Sequence, residues 1–97
     1  MAEVRWTQRA TDWLEEFGLF IAPDDPEAAL KTTRGIYDRI QGLAAFPDSG
    51  RVFGHTSRGV IRIVLYEHYR IVYHARRDDV VVILGIYHGA IDINRHH

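Results

Sequence analysis

Apolar residues dominate the last third of the chain in the pattern that is typical of β-strands. Residues 60–66, 69–75 and 79–88 form three runs rich in Val, Ile and Tyr. The links of two and three residues between them are short enough for hairpins, so the runs are predicted to form an antiparallel meander. The third run is apolar at nearly every position before His88, which indicates a central strand covered on both faces.

The first half of the chain has the spacing of amphipathic helices. The first apolar stripe follows Thr7, a suitable N-cap, and predicts a helix over residues 8–21. The second follows Asp25 as N-cap and Pro26 at the first helical position. It continues for about five turns and predicts a helix over residues 26–44.

Two glycines lie inside the second predicted helix. Gly35 and Gly42 each lower its stability by roughly 1 kcal/mol relative to Ala. They indicate either a close approach of one helix to the other or positions where glycine is merely tolerated.

The remaining segments complete the predicted fold. Glu3–Trp6 alternates charged and apolar residues, as a short edge strand does, and residues 50–59 are interpreted as a loop. The order is then β-α-α-β-β-β, an α+β fold with a helical hairpin packed on one face of a small antiparallel sheet. Because no repeat or linker interrupts it, residues 1–97 are predicted to form a single domain.

Alternation along the strands assigns their residues to two faces. Ile61, Ile63 and Leu65 are predicted to face the helices. The opposite face is then predicted to carry polar and aromatic side chains, namely Arg62, Tyr66, Arg70 and His74, with Tyr87 or His88 at its end. Such a face suits a solvated surface, a contact with phosphate or RNA bases, or a protein interface, and alternation leaves the three open.

The composition and net charge of the chain argue against several classes of function. The chain has 97 residues, of which 46% are apolar, and its formal net charge is −1, which argues against binding to nucleic acid by bulk charge. There is no cysteine, so no disulfide or thiolate metal site is expected. No signal sequence and no apolar run long enough to span a bilayer are visible, so we predict a cytoplasmic location and no membrane contact.

No strong catalytic motif stands out. His88 and Asp92 could form an acid–base pair, although a structural histidine explains the same residues. His96 and His97 lack a third ligand for a metal site. There is no glycine-rich phosphate loop and no Ser/His/Asp arrangement, so neither a metal nor a cofactor is expected.

Three stretches, taken together and in order, resemble the RelE/ParE family of bacterial type II toxin–antitoxin systems. They are "VRWTQRATDWLEEF", "DDPEAALKTTRGIYDRIQGLAAFPDSGR" and "YRIVYHARRDDVVVILGIYHGAID". The likeness covers nearly the whole chain and implies one RelE/ParE-like toxin domain over residues 1–97. It also implies a hetero-oligomer with a cognate, ParD-like antitoxin that keeps the toxin silent.

Departures from the family pattern favour one branch. RelE-like members cut messenger RNA on the ribosome, whereas ParE-like members block DNA gyrase without RNA chemistry. Arg70 matches the Arg of the "YR-I/L-VY" motif, but only Arg62 stands where RelE-like enzymes carry paired lysines. Gly89 and Ala90 stand where those enzymes place a second Arg, and "IYHGAID" is similar to the ParE-like ending. The resemblance therefore implies a gyrase inhibitor that acts by binding, is not expected to be an enzyme, and is not expected to contact nucleic acid on its own.

The resemblance also places the binding residues. Target contacts are expected on the sheet face and in the C-terminal stretch, at Arg62, Tyr66, Arg70, Tyr87, His88, Asp92 and Arg95. The antitoxin is expected to lie across the helical hairpin and the sheet edge, at Trp13, Phe17 and Phe20, unless these side chains only form the core.

Two alternatives remain. One is a RelE-like, ribosome-dependent mRNA endonuclease that uses Arg62, Arg70 and His88. The other is a toxin-fold protein that has lost its toxicity and only binds its antitoxin.

Overall fold

The computed structural model describes residues 1–88. Its elements are β1 (Glu3–Trp6), α1 (Gln8–Ile21), α2 (Pro26–Gln41), a 3₁₀ helix (Gly42–Ala44), β2 (Arg51–Thr56), β3 (Gly59–Tyr66), β4 (Tyr69–Arg76) and β5 (Val80–His88). Both helices lie where the periodicity predicts them. The last predicted turn of the second helix is the 3₁₀ helix. In the part of the chain that the structure describes, no helix has the length and apolar character needed to cross a membrane.

Both helix caps are confirmed. The Thr7 hydroxyl accepts a hydrogen bond from the Ala10 backbone N–H at 3.2 Å and donates one to the Ile83 carbonyl at 2.6 Å. Asp25 accepts a hydrogen bond from the Ala28 N–H at 3.0 Å, and Pro26 follows it at the first helical position. Thr7 therefore caps α1 and also attaches the start of that helix to β5.

The strands form one sheet in the order β1-β5-β4-β3-β2. β5 lies between β1 and β4, which confirms that it is a central strand. The α+β layout is confirmed as well, but the sheet is mixed, because β1 runs parallel to β5 while the other pairs are antiparallel. The helical hairpin connects β1 at one edge to β2 at the other.

The segment predicted as a loop contains β2, so that prediction is wrong. β2 pairs antiparallel with β3, from Arg51 opposite Ile63 to Thr56 opposite Gly59. The register shifts between Val52 and Gly54, which marks a β-bulge. A bulge adds a residue and breaks the period of two, so alternation did not reveal this strand.

The core lies between the helical hairpin and one face of the sheet. Ile36 and Ile40 of α2 and Leu43 of the 3₁₀ helix are fully buried. They belong to one cluster with strand residues that include Val64, Ile71, Tyr73, Val81, Ile83 and Ile86. Glycine also allows close packing here, but not as predicted: Gly18 is the residue that lies against the other helix, at Thr33, whereas Gly35 lies against Tyr66 of the sheet.

Candidate functional site

Strand register decides which side chains share a face. Residues directly opposite each other in an antiparallel pair point to the same side. Tyr66 lies opposite Tyr69 and Val64 opposite Ile71, and both Val64 and Ile71 belong to the core under the helices. We call this side, which packs against the helical hairpin, the covered face, and the other side the open face.

The predicted faces of β3 are therefore exchanged. Leu65 lies opposite Arg70 and Ile61 opposite His74, so the Ile61, Ile63 and Leu65 side of β3 is the open face. Arg62 lies opposite Tyr73, on the covered face. The prediction that Arg62, Tyr66, Arg70 and His74 share one surface is wrong: the first two are on the covered face and the last two on the open face. The link between β3 and β4 explains this, because a two-residue turn places Tyr66 opposite Tyr69.

Arg62 is engaged in holding a loop. Its Nη1 donates to the Gly50 carbonyl at 2.8 Å and to the Asp48 carbonyl at 3.2 Å. Its Nε lies 3.7 Å from the Asp48 carboxylate. Tyr73, opposite Arg62, holds the same loop by donating to the Pro47 carbonyl at 2.7 Å. The Arg62 guanidinium is thus oriented by the segment that joins the 3₁₀ helix to β2.

A row of three side chains crosses the open face. Arg70 lies opposite Leu65 on one side and opposite Tyr87 on the other. The Leu65 side chain is 62% exposed. Within residues 1–88, the Arg70 side chain makes no hydrogen bond or ion pair. We call these residues the Leu65–Arg70–Tyr87 row.

The Tyr87 ring is supported from two sides. It lies over Gly85, where an added Cβ would come within 2.8 Å of the ring, so glycine is needed at that position. Its centroid is 6.1 Å from that of Trp13 in α1. These two contacts hold the Tyr87 ring in place.

Two other cations of the open face, Arg5 and Arg76, are paired with carboxylates. Arg5 donates a hydrogen bond to Glu3, which together with the charge of Arg5 holds the pKa of the Glu3 carboxyl below its ordinary value. Arg76 is paired with Asp78 in the same way, and this hydrogen bond lowers the pKa of Asp78. Arg70 differs from both because it has no carboxylate partner among the described residues.

His74 is hydrogen-bonded to the β2–β3 hairpin. Its Nε2 lies 2.8 Å from the Thr56 hydroxyl oxygen. That oxygen also accepts from the backbone N–H groups of Arg58 and Gly59, at 3.2 and 3.0 Å. The same oxygen lies 3.3 Å from the Gly59 carbonyl, to which it donates. Thr56 thus joins His74 to the turn between β2 and β3.

An apolar groove lies between α1 and the adjacent end of β4 and β5. It encloses about 510 Å³ and is lined by Trp13, Glu16, Phe17, Phe20, Ile21, Tyr69 and His88. The ring centroids of Phe17 and Trp13 are 5.6 Å apart, and those of Phe17 and Tyr69 are 4.9 Å apart. Trp13 and Phe17 are half-buried and pack against the core, whereas Phe20 is 83% exposed at the rim. Phe20 is therefore not a core residue, while Trp13 and Phe17 both support the core and line the groove.

His88 belongs to this groove. It lies opposite Tyr69, with ring centroids 5.4 Å apart in an edge-on contact, and its ring stacks on His68 at 6.4 Å. Asp92, Arg95, His96 and His97 lie outside the described residues, and so does the proposed pairing of His88 with Asp92. Within residues 1–88, no three His, Asp or Glu side chains are grouped so that they could hold a metal ion.

Comparisons with known proteins agree with this architecture. A chain of the chromosomal ParDE toxin–antitoxin system from P. aeruginosa superimposes with a TM-score of 0.73 at 20% identity, over 91% of this chain and 96% of that chain. The isolated E. coli RelE toxin superimposes with a TM-score of 0.63 at 12% identity, over 98% of this chain and 92% of that chain. At these identities the likeness shows a shared fold.

Sequence comparison is more specific. A stretch of 48 residues is 44% identical to the candidate toxin Y4kP of Sinorhizobium fredii (strain NGR234), and it covers 50% of this chain and 50% of that protein. The match thus spans about half the length of that curated relative. The family model of the ParE toxin of the type II toxin–antitoxin system parDE matches residues 4–93. Because that match takes in every strand and both helices, the chain belongs to the ParE toxin family of type II toxin–antitoxin systems.

Proposed function

We propose that this toxin inhibits DNA gyrase by binding to it, and that a cognate, ParD-like antitoxin neutralises it in a hetero-oligomer. Membership of the ParE family supports the toxin and its antitoxin partner. The observation that carries the binding mechanism is the placement of Arg62 and Arg70 on opposite faces of the sheet.

This placement argues against RNA cleavage by the predicted residues. A group that activates a ribose hydroxyl or holds a phosphate must lie within hydrogen-bond reach of it. Arg62 is oriented towards the loop on the covered face, whereas Arg70 points from the open face. One phosphate cannot contact both guanidinium groups, and His88 lies at the apolar groove on the covered side. A toxin that binds its target explains the same residues without this conflict.

The apolar groove is the proposed antitoxin site. A groove lined by Trp13, Phe17 and Tyr69 suits the apolar face of an amphipathic segment. Phe20 stands exposed at its rim, where burial by a partner would remove a large apolar surface from water. Glu16 also lines the groove, so the antitoxin segment is expected to place a Lys or Arg beside its apolar anchors.

Purified, antitoxin-free toxin should be added to gyrase supercoiling reactions and, in parallel, to a translating ribosome–mRNA system. We expect supercoiling to stop while the mRNA stays intact. Cut mRNA with active gyrase would instead identify a RelE-like endonuclease. A toxin that changes neither reaction and does not arrest growth when expressed alone would be a non-toxic binding partner of its antitoxin.

The antitoxin site is tested by Phe20→Ser. The exposed side chain contributes little to folding, so we expect unchanged thermal unfolding and antitoxin affinity weakened by about tenfold or more. Phe46→Ser is the matched control, since Phe46 is 71% exposed and does not line the groove. Equal affinities for the two variants, measured by titration calorimetry, would exclude Phe20 from the antitoxin contact.

A further inference from the structure

The amino-acid composition of the open face is that of a protein interface rather than of a solvated sheet surface. Ile63 and Val72 are buried there although no helix covers them, so neighbouring side chains close over them. Ile61 and Val82 are half-buried, and Leu65 is largely exposed. Apolar side chains thus line this side of the sheet, and of these five only Leu65 is largely exposed.

Charge on this face is positive and partly uncompensated. Glu3 is paired with Arg5 and Asp78 with Arg76, so these two carboxylates are engaged. Arg51 and Arg70 make no hydrogen bond or ion pair through their side chains within residues 1–88. Both project from the open face, because Arg51 lies opposite Ile63 and Arg70 opposite Leu65.

α1, one of the two helices on the opposite side of the sheet, has the reverse charge balance. α1 carries three carboxylates and one arginine on its exposed surface: Arg9, Asp12, Glu15 and Glu16. An acidic partner would therefore be attracted to the open face and repelled by α1.

We propose that the Leu65–Arg70–Tyr87 row is the docking surface for the toxin's protein target, and that the target presents a carboxylate next to an apolar patch. Tyr and Arg are the residue types that most often dominate interface energies, and here both sit beside an exposed leucine. The positive charge of Arg70 selects the carboxylate, and Leu65 selects the apolar patch. This inference rests on the proposed function, whose target surface it names.

A nucleic-acid partner fits the same face less well. Binding to phosphates depends on many cations, whereas this face offers two unpaired arginines. Base stacking needs an accessible aromatic ring, but the Tyr87 ring lies over Gly85 and against Trp13. Exposed Leu65 adds apolar surface that a phosphate backbone does not use.

Two substitutions test the proposal on the full-length toxin. Arg70→Glu reverses the charge and Leu65→Ser removes the apolar contact. Their matched controls on α2 are Arg34→Glu, at an exposed arginine without a partner among the described residues, and Leu30→Ser, at a leucine that is 68% exposed. Thermal unfolding and antitoxin affinity of all four variants should stay close to wild type, which shows that the fold and the groove are intact.

Potency is then measured in two ways: the toxin concentration that half-inhibits gyrase supercoiling, and growth arrest on expression without antitoxin. We expect Arg70→Glu and Leu65→Ser to raise the half-inhibiting concentration by about tenfold or more and to relieve growth arrest. The controls should change it by less than about twofold. Wild-type inhibition should also weaken with added salt, because charge attraction is screened.

The possible outcomes distinguish failure of the proposed docking surface from failure of the proposal that gyrase is the target. If wild-type toxin inhibits gyrase and both variants remain equally potent, the docking surface is wrong while the proposed function stands. If wild-type toxin arrests growth without inhibiting gyrase, the proposed function fails. The docking surface is then tested by growth arrest alone: it is supported if Arg70→Glu and Leu65→Ser relieve the arrest and excluded if they do not. If wild-type toxin does neither, both proposals fail.

Binding of the toxin to a fluorescent DNA duplex tests whether the partner of this surface is a nucleic acid or a protein. Tight duplex binding that Arg70→Glu abolishes and Leu65→Ser leaves intact would identify a nucleic-acid partner and overturn the proposal of an acidic protein. Negligible duplex binding by the wild-type toxin supports it.

Discussion

Tyr66 occupies the space that a side chain on Gly35 would need. A Cβ added to Gly35 would lie 2.0 Å from the Tyr66 hydroxyl oxygen and 2.2 Å from the ring carbon that bears it. The contact joins the middle of α2 to the end of β3. It explains why glycine stands in a helix that alanine would stabilise.

Gly35→Ala should lower the free energy of unfolding by up to about 2 kcal/mol. Alanine is favoured over glycine in a helix by about 1 kcal/mol, but displacing a packed tyrosine costs about 1–3 kcal/mol. Gly42→Ala is the control: nothing lies within 4 Å of its added Cβ and its φ is −63°. That control should stabilise the protein by about 0.5–1 kcal/mol. Urea denaturation measures both, and equal stabilisation by the two changes would contradict the Tyr66 contact.

Tyr73→Phe should destabilise the protein by about 1–3 kcal/mol. The buried Tyr73 hydroxyl donates to the Pro47 carbonyl at 2.7 Å and accepts from the Gly50 N–H at 2.9 Å, and phenylalanine would leave both unpaired. The control is Tyr37→Phe, because the Tyr37 ring is half-exposed and makes no hydrogen bond within residues 1–88. Calorimetric unfolding that shifts equally for the two variants would show that the hydroxyl does not hold this loop.

Stability should fall at alkaline pH because of the same tyrosine. Burial raises the pKa of Tyr73 above its ordinary value of 10.0, and burial with the charge of Glu67 raises the pKa of Tyr69. The unfolded chain then loses these protons at lower pH than the folded chain does. Their contribution is complete below a pH of about 10 and is lost as the pH rises through the folded pKa values. Denaturation curves between pH 8 and 11 should show this decline, and Tyr73→Phe should make it shallower; an identical slope would contradict the assignment.

Thr56→Val should loosen the β2–β3 hairpin. The substitution removes the hydrogen bond to His74 and leaves two backbone N–H groups without their acceptor, a loss of about 1–2 kcal/mol. Hydrogen exchange should accelerate for β2 amides and stay unchanged in α1. Thr32→Val serves as the control, since the Thr32 hydroxyl makes no hydrogen bond in the described part of the chain. Unaltered exchange in β2 would show that Thr56 does not fasten this edge strand.

Much of the fold was predictable because its signals are local. The apolar spacing of α1 and α2, together with Thr7 and Asp25 as caps, indicated both helices within a turn of their observed ends. The continuous apolar run of β5 indicated a central strand. Three ordered stretches also pointed to the family that the match over residues 4–93 establishes.

The candidate site was predictable only in part. Alternation was correct within β3 and within β4, but it could not choose which side of β3 faces the helices, because both sides contain apolar residues. The two-residue turn after Tyr66 held that information, since it places Tyr66 opposite Tyr69. β2 was missed because its bulge disrupts alternation.

The sequence by itself determined the helices, the β4–β5 hairpin and the family, since each follows from residues close together along the chain. Only the tertiary structure decided that Arg62 holds a loop while the Arg70 side chain, on the open face, has no partner among residues 1–88, and that Leu65, Arg70 and Tyr87 form one row. These relationships depend on how separate strands align and on which face the helices cover. Register between strands and burial against helices are properties of the assembled sheet, which no single segment specifies.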